Sequence, residues 1–376
     1  MMTTNFVDII NLVLTWAGGL VGLDYRVLPQ LARTAIGMLI ACGALIAYLG
    51  VLTMIFVWGE RRVAGRIQSR QGPNRVGPQG VLQLVADGIK FLIKEDVIPE
   101  TAHPLLFRLA PMLVLMGAFA PFVVLPLSQS LVVSHMSLGV YYALSFAALE
   151  VVGVIMAGWA SNNKWSLYGG MRLAAQMMSY EIPMGLAVLT VVVLTGSVNL
   201  GEITGAQQGA WIFSWNIFRG FPWAFIAGCI FYTAGLAASK RTPFDLPEAE
   251  SELVAGYHTE YSGMRFIMFM MAEYGTMYVI SALTAILFLG GTNGPIPQVV
   301  VFGNHTYAQA GPIASNLIGM ANLIGKAYVL MFVMLWVRWT YPRVRIDQII
   351  FICMKVLVPF GIVCLIGAAA WAVLGL

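Results

Sequence analysis

Long apolar stretches separated by shorter polar segments dominate the pattern of this chain. Eight stretches are mostly apolar over about 17 residues or more, the length at which a helix crosses the hydrocarbon layer of a bilayer. They cover residues 36–58, 109–127, 138–160, 182–200, 222–238, 266–289, 316–337 and 349–373. We therefore predict an all-α polytopic membrane protein with eight transmembrane helices in a single membrane domain, residues 36–376.

The amino-terminal stretch is less regular. Residues 6–23 are apolar, but they include Asp8 and Asn11, and three glycines lie near their end. We predict that residues 1–35 form an interfacial segment whose helix lies at the membrane surface. A ninth span is the alternative.

Composition and charge place the polar segments on two sides of a membrane. The mean hydropathy is +0.81, and only 10% of the residues are charged. Of the 21 Lys and Arg residues, 15 follow the odd-numbered spans and three lie in the other connections. Cytoplasmic loops carry such an excess. The segments 59–108, 161–181, 239–265 and 338–348 are therefore predicted to be long cytoplasmic loops.

The residue types that hold metals and nucleotides are scattered. The four cysteines all fall in apolar stretches without a CxxC pair, and the four histidines show no ligand spacing. No glycine-rich phosphate-binding motif occurs. We therefore predict no metal, haem or dinucleotide site, and we expect any redox centre that works with this protein to belong to other chains.

One polar segment, residues 240–263, gathers five carboxylates within sixteen residues. We call it the acidic loop, and its carboxylates are Asp245, Glu248, Glu250, Glu252 and Glu260. Pro243 and Pro247 interrupt any helix that continues from the preceding span, and a short helix after Pro247 would place Glu248 and Glu252 on one face. A solvated loop is one interpretation. The other is a lined site whose carboxylates titrate together.

The first polar segment contains a second regular pattern. Leu82, Val85 and Ile89 recur at helical spacing, and Lys90 lies mostly elsewhere on the helix. This predicts an amphipathic helix on the cytoplasmic membrane surface. It serves either as a lipid-facing anchor or as the rim of an opening through which an apolar ligand enters.

Ionisable residues also occur within the apolar stretches, where an unpaired charge costs several kcal/mol. They are Glu150, Glu273 and Lys326, and Glu181 stands where a span begins. Glu150 is the weakest candidate for function, because a local donor such as Ser145 could hold a single neutral acid. Glu273, two or three turns from Arg265, could instead lie near the interface and merely pair with a base.

Together these segments resemble the H subunit of bacterial respiratory complex I, the family of mitochondrial NADH dehydrogenase subunit 1. The resemblance extends from about residue 36 to residue 359, with the signatures in the same order. It rests on residues 60–78, 87–95, 158–162, 179–181, 242–261, 272–274, 336–343 and 347–348.

The resemblance implies a function. Members of the family are multi-pass subunits of a proton-translocating NADH:quinone oxidoreductase in the bacterial inner membrane. They form the membrane side of the quinone chamber. Quinone would be the substrate, while flavin and iron–sulfur clusters would belong to partner subunits, with no cofactor bound by this chain. The implied partners are the peripheral-arm subunits at the quinone site, the small membrane subunits next to the antiporter-like modules, and lipid, but no nucleic acid.

The resemblance also implies roles for individual residues, none of which is itself catalytic. The quinone chamber would involve Glu60, Arg61, Arg62, Asp87, Lys90 and Asp245. The acidic funnel leading from it would be lined by Glu248, Glu250, Glu252 and Glu260. A proton path into the membrane would continue through Glu181, Glu273, Lys326 and Lys355.

Two alternatives remain open. A homologous subunit of a membrane-bound hydrogenase-type complex would share the same signatures and need no quinone. A stand-alone ion transporter would use the intramembrane Glu and Lys residues as substrate ligands.

Overall fold

The protein is a bundle of long helices. The computed structural model describes residues 29–129, 131–209, 211–296, 299–302, 305–309 and 312–374. The interfacial helix expected within residues 6–23 lies outside the described residues.

The α-helices, in chain order, are α1 (Gln30–Ile67), α2 (Gln83–Ile93), α3 (Pro104–Phe119), α4 (Gly139–Ala160), α5 (Lys164–Thr195), α6 (Leu200–Ala206), α7 (Asn216–Arg219), α8 (Trp223–Ala238), α9 (Glu250–Leu253), α10 (Gly263–Phe288), α11 (Pro312–Thr340), α12 (Ile346–Phe351) and α13 (Val358–Leu374). Single turns of 3₁₀ helix occur at Pro78–Gly80, Ala120–Val123, Trp211–Ser214 and Gly256–His258, and a π-helical turn, Ile352–Leu357, joins α12 to α13.

Seven helical segments in the described part of the chain have the length and apolar composition needed to cross a membrane. They are Ala32–Ile67, Pro104–Val123, Gly139–Ala160, Lys164–Thr195, Gly263–Phe288, Ala314–Thr340 and Ile346–Leu374. The remaining apolar stretch forms α8, which has only 16 residues. The polytopic, helical class is thus confirmed, with seven helices of membrane length.

Several helices continue beyond the predicted spans. α1 extends to Ile67, and α5 begins at Lys164, so much of the segment predicted as the loop 161–181 is helical. The start of α5 is fixed by Asn163, whose side chain accepts a hydrogen bond from the backbone N–H of Trp165 at 3.0 Å. Hydropathy detects only the apolar part of such helices, because their polar turns resemble loops.

A small β-hairpin interrupts the helical pattern before α11. Strand β1 (Val299–Phe302) pairs antiparallel with β2 (His305–Gln309), with Val299 opposite Gln309 and an irregularity between Val300 and Val301. The sequence pattern did not predict these strands.

The centre of the bundle is α10. In its most apolar window 72% of the residues are buried, against at most 50% in the other six long segments. Nearby, α3 and α4 pack closely because glycine allows it: a Cβ on Gly117 would come within 2.6 Å of the backbone nitrogen of Glu150. This packing holds Glu150 inside the bundle, where it faces α10.

Candidate functional site

Charged side chains from separate helices meet beside the first half of α10. Glu60 comes from α1, Glu150 from α4 and Glu273 from α10, while Lys240 and Arg241 follow directly after α8. None of these residues is more than 7% exposed. We call these five residues, with Arg338 of α11, the buried ion cluster.

Lys240 pairs with Glu150. Its Nζ lies 2.6 Å from Oε1 of Glu150, and the Thr276 hydroxyl donates to the other carboxylate oxygen at 2.6 Å. Burial lowers the pKa of Lys240, but the adjacent Glu150 carboxylate outweighs it, and the net shift is upward. The ammonium is therefore held in its charged form.

Arg241 joins the other two carboxylates. Its Nε lies 2.6 Å from Glu273, and its Nη1 donates to both oxygens of Glu60 at 3.1 and 3.3 Å. The Tyr274 hydroxyl donates to Glu60 at 2.6 Å, and Arg338 also pairs with Glu60. With every group ionised, three carboxylates face three cations, the balance that burial of charge requires.

The acidic loop contributes two carboxylates next to this cluster. Glu248 accepts hydrogen bonds from the Tyr257 hydroxyl at 2.5 Å and from Nε2 of His258 at 3.0 Å, and Asp245 pairs with Arg343 at 3.2 Å. Burial and the charge of Glu248 raise the pKa of Asp245 to about 7, against the opposing effect of Arg343. Burial also opposes ionisation of Glu248, but His258, Tyr257 and Lys240 lower its pKa to about 2. Of the two, Asp245 is the group that holds a proton near neutral pH.

The predicted helix geometry of this loop is wrong. α9 is one turn that starts only at Glu250, so Glu248 precedes it and shares no helix face with Glu252. The Glu248 side chain is 20% exposed and turned inward, whereas that of Glu252 is 48% exposed and pairs with Arg172 at 2.6 Å. The reason is local packing, since Pro247 is buried and its carbonyl lies against Gly169 and Gly256.

Glu260 accepts a hydrogen bond from Asn163 at 2.7 Å, beside the start of α5. The side chain of Glu250 lies outside the described part of the structure. The acidic loop is therefore divided into an inward pair, Asp245 and Glu248, and an outward residue, Glu252, rather than forming one uniform acidic face.

The amphipathic helix is confirmed as α2. Its Ile89, Leu92 and Ile93 are 52%, 67% and 79% exposed, so an apolar face is uncovered in this chain. Asp87 ties α2 to the end of α1 through Arg61 at 2.6 Å. Burial opposes ionisation of Asp87, but its hydrogen bond with Arg61 contributes to lowering its pKa.

The remaining quinone-chamber candidates lie on the same surface. Lys90 stands 3.9 Å from Asp87, and Arg62 donates to Gln79 at 3.0 Å. Glu60 is separated from these neighbours because its side chain points into the buried ion cluster.

The residues predicted for a proton path do not form one group. Glu181 lines a cavity of about 40 Å³ that Glu150 and Lys240 also line. Lys326 contacts the opposite end of α10, and Lys355 is exposed, with its ammonium 5.2 Å from the Phe351 ring centre. Thus Glu181 lies near the buried ion cluster, while Lys326 and Lys355 have no contact with it among the described residues.

The alternatives for two single residues have different outcomes. Glu273 does pair with a base, but that base is Arg241, while Arg265 binds Asp96 at 3.0 Å. Glu150 is held by Lys240 and Thr276 rather than by a donor on its own helix. The two carboxylates within apolar stretches, Glu150 and Glu273, required buried cations, and the adjacent Lys-Arg pair at the end of an apolar stretch was the sequence signal that could have identified them.

Among the described residues, no three His, Cys, Asp or Glu side chains are grouped so that they could hold a metal ion.

Comparison with known proteins identifies the family. Residues 40–369 match the NADH dehydrogenase family model. The chain is 45% identical to the NADH-quinone oxidoreductase H subunit of Anaeromyxobacter dehalogenans over 349 residues, covering 92% of this chain and 84% of that protein. It is 40% identical to the NADH-quinone oxidoreductase H subunit of Chlorobium luteolum over 364 residues, covering 96% of this chain and 95% of that protein. The resemblance found in the sequence is thereby confirmed, and the chain belongs to the family of NADH-quinone oxidoreductase H subunits.

Proposed function

We propose that this chain, as a subunit of the NADH-quinone oxidoreductase complex, forms the membrane side of the quinone chamber and links quinone reduction to proton translocation. The observation that carries the proposal is the buried ion cluster, in which three carboxylates and three cations from distant parts of the chain meet beside the acidic loop. A hydrogenase-type complex is disfavoured because the relatives named above are NADH-quinone oxidoreductase subunits.

The entrance to the chamber lies between α1 and α2. An apolar quinone arriving from the bilayer would meet the uncovered apolar face of α2 first. Beside that face stand Arg61, Asp87 and Lys90, which are suited to a polar headgroup. Arg62 flanks this group, whereas Glu60 points into the buried ion cluster and Asp245 lies in the acidic loop beside that cluster.

Coupling runs from the acidic loop into the bundle. A change of charge on quinone would alter the balance between Asp245 and Glu248, whose carboxyls already differ in proton affinity. Lys240 acts electrostatically on Glu248 and pairs directly with Glu150. The protonation of the loop can therefore influence the buried ion cluster.

The path then continues through the cavity. A water needs roughly 10–15 Å³ of cavity space, so a cavity of about 40 Å³ has room for two to four waters. Such waters would connect Glu150 with Glu181 on α5. Lys326 and Lys355 stay predictions for the path, without a contact that supports them.

The eight-span topology follows from treating α8 as a span. Its 16 residues measure about 24 Å, less than the hydrocarbon thickness of about 30 Å. If its other end reaches the outer interface, Lys240 and Arg241 lie several ångströms below the cytoplasmic interface. The short helix thus explains why two cations follow it directly and are buried rather than hydrated.

The positive-inside distribution supports a multi-pass protein in a bacterial inner membrane, with the acidic loop on the cytoplasmic side. The partners would be the peripheral-arm subunits at the quinone site and the small membrane subunits beside the antiporter-like modules. Quinone would be the substrate, with flavin and iron–sulfur clusters held by those partners.

Photolabelling of native membranes tests the proposal. A photoreactive analogue of a quinone-site inhibitor should modify peptides within residues 60–95 or 240–263 of this chain, and excess unmodified inhibitor should abolish the labelling. Failure to label this chain, in membranes whose NADH:quinone activity the analogue blocks, would contradict a quinone chamber here.

A further inference from the structure

A second polar network lies at the end of α10 that is remote from the buried ion cluster. The chain turns there through Gly290 and Gly291, whose φ angles are +80° and +54°. Lys326 of α11 reaches this turn, and its Nζ donates to the carbonyls of Leu289, Gly291 and Asn293 at 2.6, 3.0 and 2.6 Å. The residue is 9% exposed.

Other side chains bind the neighbouring carbonyls. Gln207 donates to Ile286 at 2.7 Å, and Asn216 donates to Leu287 at 2.8 Å. The last carbonyls of a helix have no partner within the helix and carry the negative end of its dipole. Gln207 and Asn216 thus bind carbonyls of the last turn of α10, and Lys326 binds carbonyls of the turn that follows.

We propose that Lys326 is a hydrogen-bonding cap on the turn that ends α10 and not a carrier of protons. Its three ammonium hydrogens match three carbonyl oxygens, which are hydrogen-bond acceptors but not bases at physiological pH. The ion pairs of the described residues do not include Lys326. Lys240 differs in this respect, because its partner is the carboxylate of Glu150.

Distance separates the cap from the cluster. Leu289 comes sixteen residues after Glu273, which corresponds to about 24 Å along the helix. Beyond Thr276, the hydroxyls on this stretch do not form a chain to Lys326 among the described residues. Tyr278 accepts a hydrogen bond from Tyr48 of α1 at 2.8 Å, Thr284 donates to the carbonyl of Ile280 one turn away, and Ser281 contacts the sulfur of Met334 at 4.0 Å.

Two consequences follow for the bundle. Protons that reach the buried ion cluster are not conducted along α10. Instead, α10 is a rigid helix that holds the Glu273 side chain in its position in the cluster. The first consequence rests on the proposed function, whereas the capping rests on the contacts alone.

The experiment uses Lys326→Met and Lys326→Arg in the assembled complex. Met keeps most of the length and removes the charge, while Arg keeps a charge that cannot be given up as a proton. Val329→Met is the matched control, since Val329 lies on the same helix and is 65% exposed. The measurements are the temperature at which NADH:quinone activity is lost and the number of protons translocated per NADH.

A cap predicts that Lys326→Met lowers the inactivation temperature relative to Val329→Met and that both Lys326 variants keep the wild-type proton ratio. If Lys326→Met does not assemble, the ratio is read from Lys326→Arg. A lower ratio in either assembled variant overturns the proposal, and so does a Lys326→Met complex as heat-stable as the control.

Glu273→Gln, measured in the same membranes, separates the two proposals. An unchanged proton ratio in that variant counts against the proposed coupling function. The cap is then judged by the inactivation temperature alone.

Discussion

Asp245 and Glu248 are three residues apart, yet the structure gives them opposite proton affinities. Burial and the neighbouring carboxylate raise the pKa of Asp245 to about 7, and the donors around Glu248 lower its pKa to about 2 despite burial. A carboxylate held ionised beside one that titrates near neutral pH responds strongly to a new charge nearby. The protonation state of such a pair can therefore change when a nearby quinone is reduced.

Replacing Glu248 tests this sensing role. Gln at position 248 still accepts the Tyr257 hydrogen bond but carries no charge and cannot set the proton affinity of Asp245. We expect Glu248→Gln to translocate about half as many protons per NADH as wild type, or fewer, while quinone reduction continues. Proton uptake by inverted vesicles, measured together with NADH oxidation, gives the ratio.

Glu252→Gln is the control for that experiment. It removes an exposed ion pair with Arg172, a type of contact worth at most about 1 kcal/mol, so the ratio should stay at the wild-type value. Equal ratios in the two variants would contradict the sensing role of Glu248.

At the residue scale, the sequence located the carboxylates but not their partners. Glu273, Glu181 and the acidic loop were identified as candidates from their positions in or beside apolar stretches. The pairings depend on packing between distant segments: Arg241 and Glu60 are 181 residues apart, and Arg338 and Glu60 are 278 apart. No local pattern encodes such contacts.

Among the elements, the acidic loop depends on one glycine. Gly256 has φ +55°, and a Cβ there would collide with the carbonyl of Pro247. Gly256→Ala should destabilise the loop by about 1–3 kcal/mol, through backbone strain and loss of this close approach. The thermal inactivation temperature of NADH:quinone activity and the amount of assembled complex should both fall.

A glycine on α2 provides the comparison. Gly88 lies within a helix, and apart from its chain neighbours and the backbone of its own helix no described atom lies within 4 Å of the position that an added methyl group would take. Gly88→Ala should therefore be neutral or stabilise by up to about 1 kcal/mol. If Gly256→Ala were as stable as Gly88→Ala, the loop conformation would not depend on this contact.

The helical elements themselves were largely predictable, because each depends on its own apolar periodicity. The predicted helix boundaries were wrong where polar turns extend an apolar helix, as at the start of α5. The β1–β2 hairpin was not predicted, because the surrounding sequence showed no apolar periodicity. The single turn of α9 was placed too early, because the packing of Pro247 against Gly169 and Gly256 comes from tertiary structure.

For the whole molecule, the topology depends on whether α8 completes an eighth crossing. If only the seven long helices crossed the membrane, the segments before and after α8 would lie on the same side of it. Lys240 and Arg241 would then lie on that side too. Eight crossings place residues 200–222 outside and the acidic loop inside, in agreement with the distribution of Lys and Arg.

Cysteine accessibility distinguishes these topologies. In a variant without Cys42, Cys229, Cys353 and Cys364, cysteines are introduced singly at Gln208 and at Val254, both exposed positions on either side of α8. We expect a membrane-impermeant maleimide to label Gln208→Cys in right-side-out vesicles and Val254→Cys only in inverted vesicles stripped of the peripheral arm. Labelling of both from one side would show that α8 does not span. The two buried cations would then lack the position below the cytoplasmic interface that the coupling proposal assigns to them.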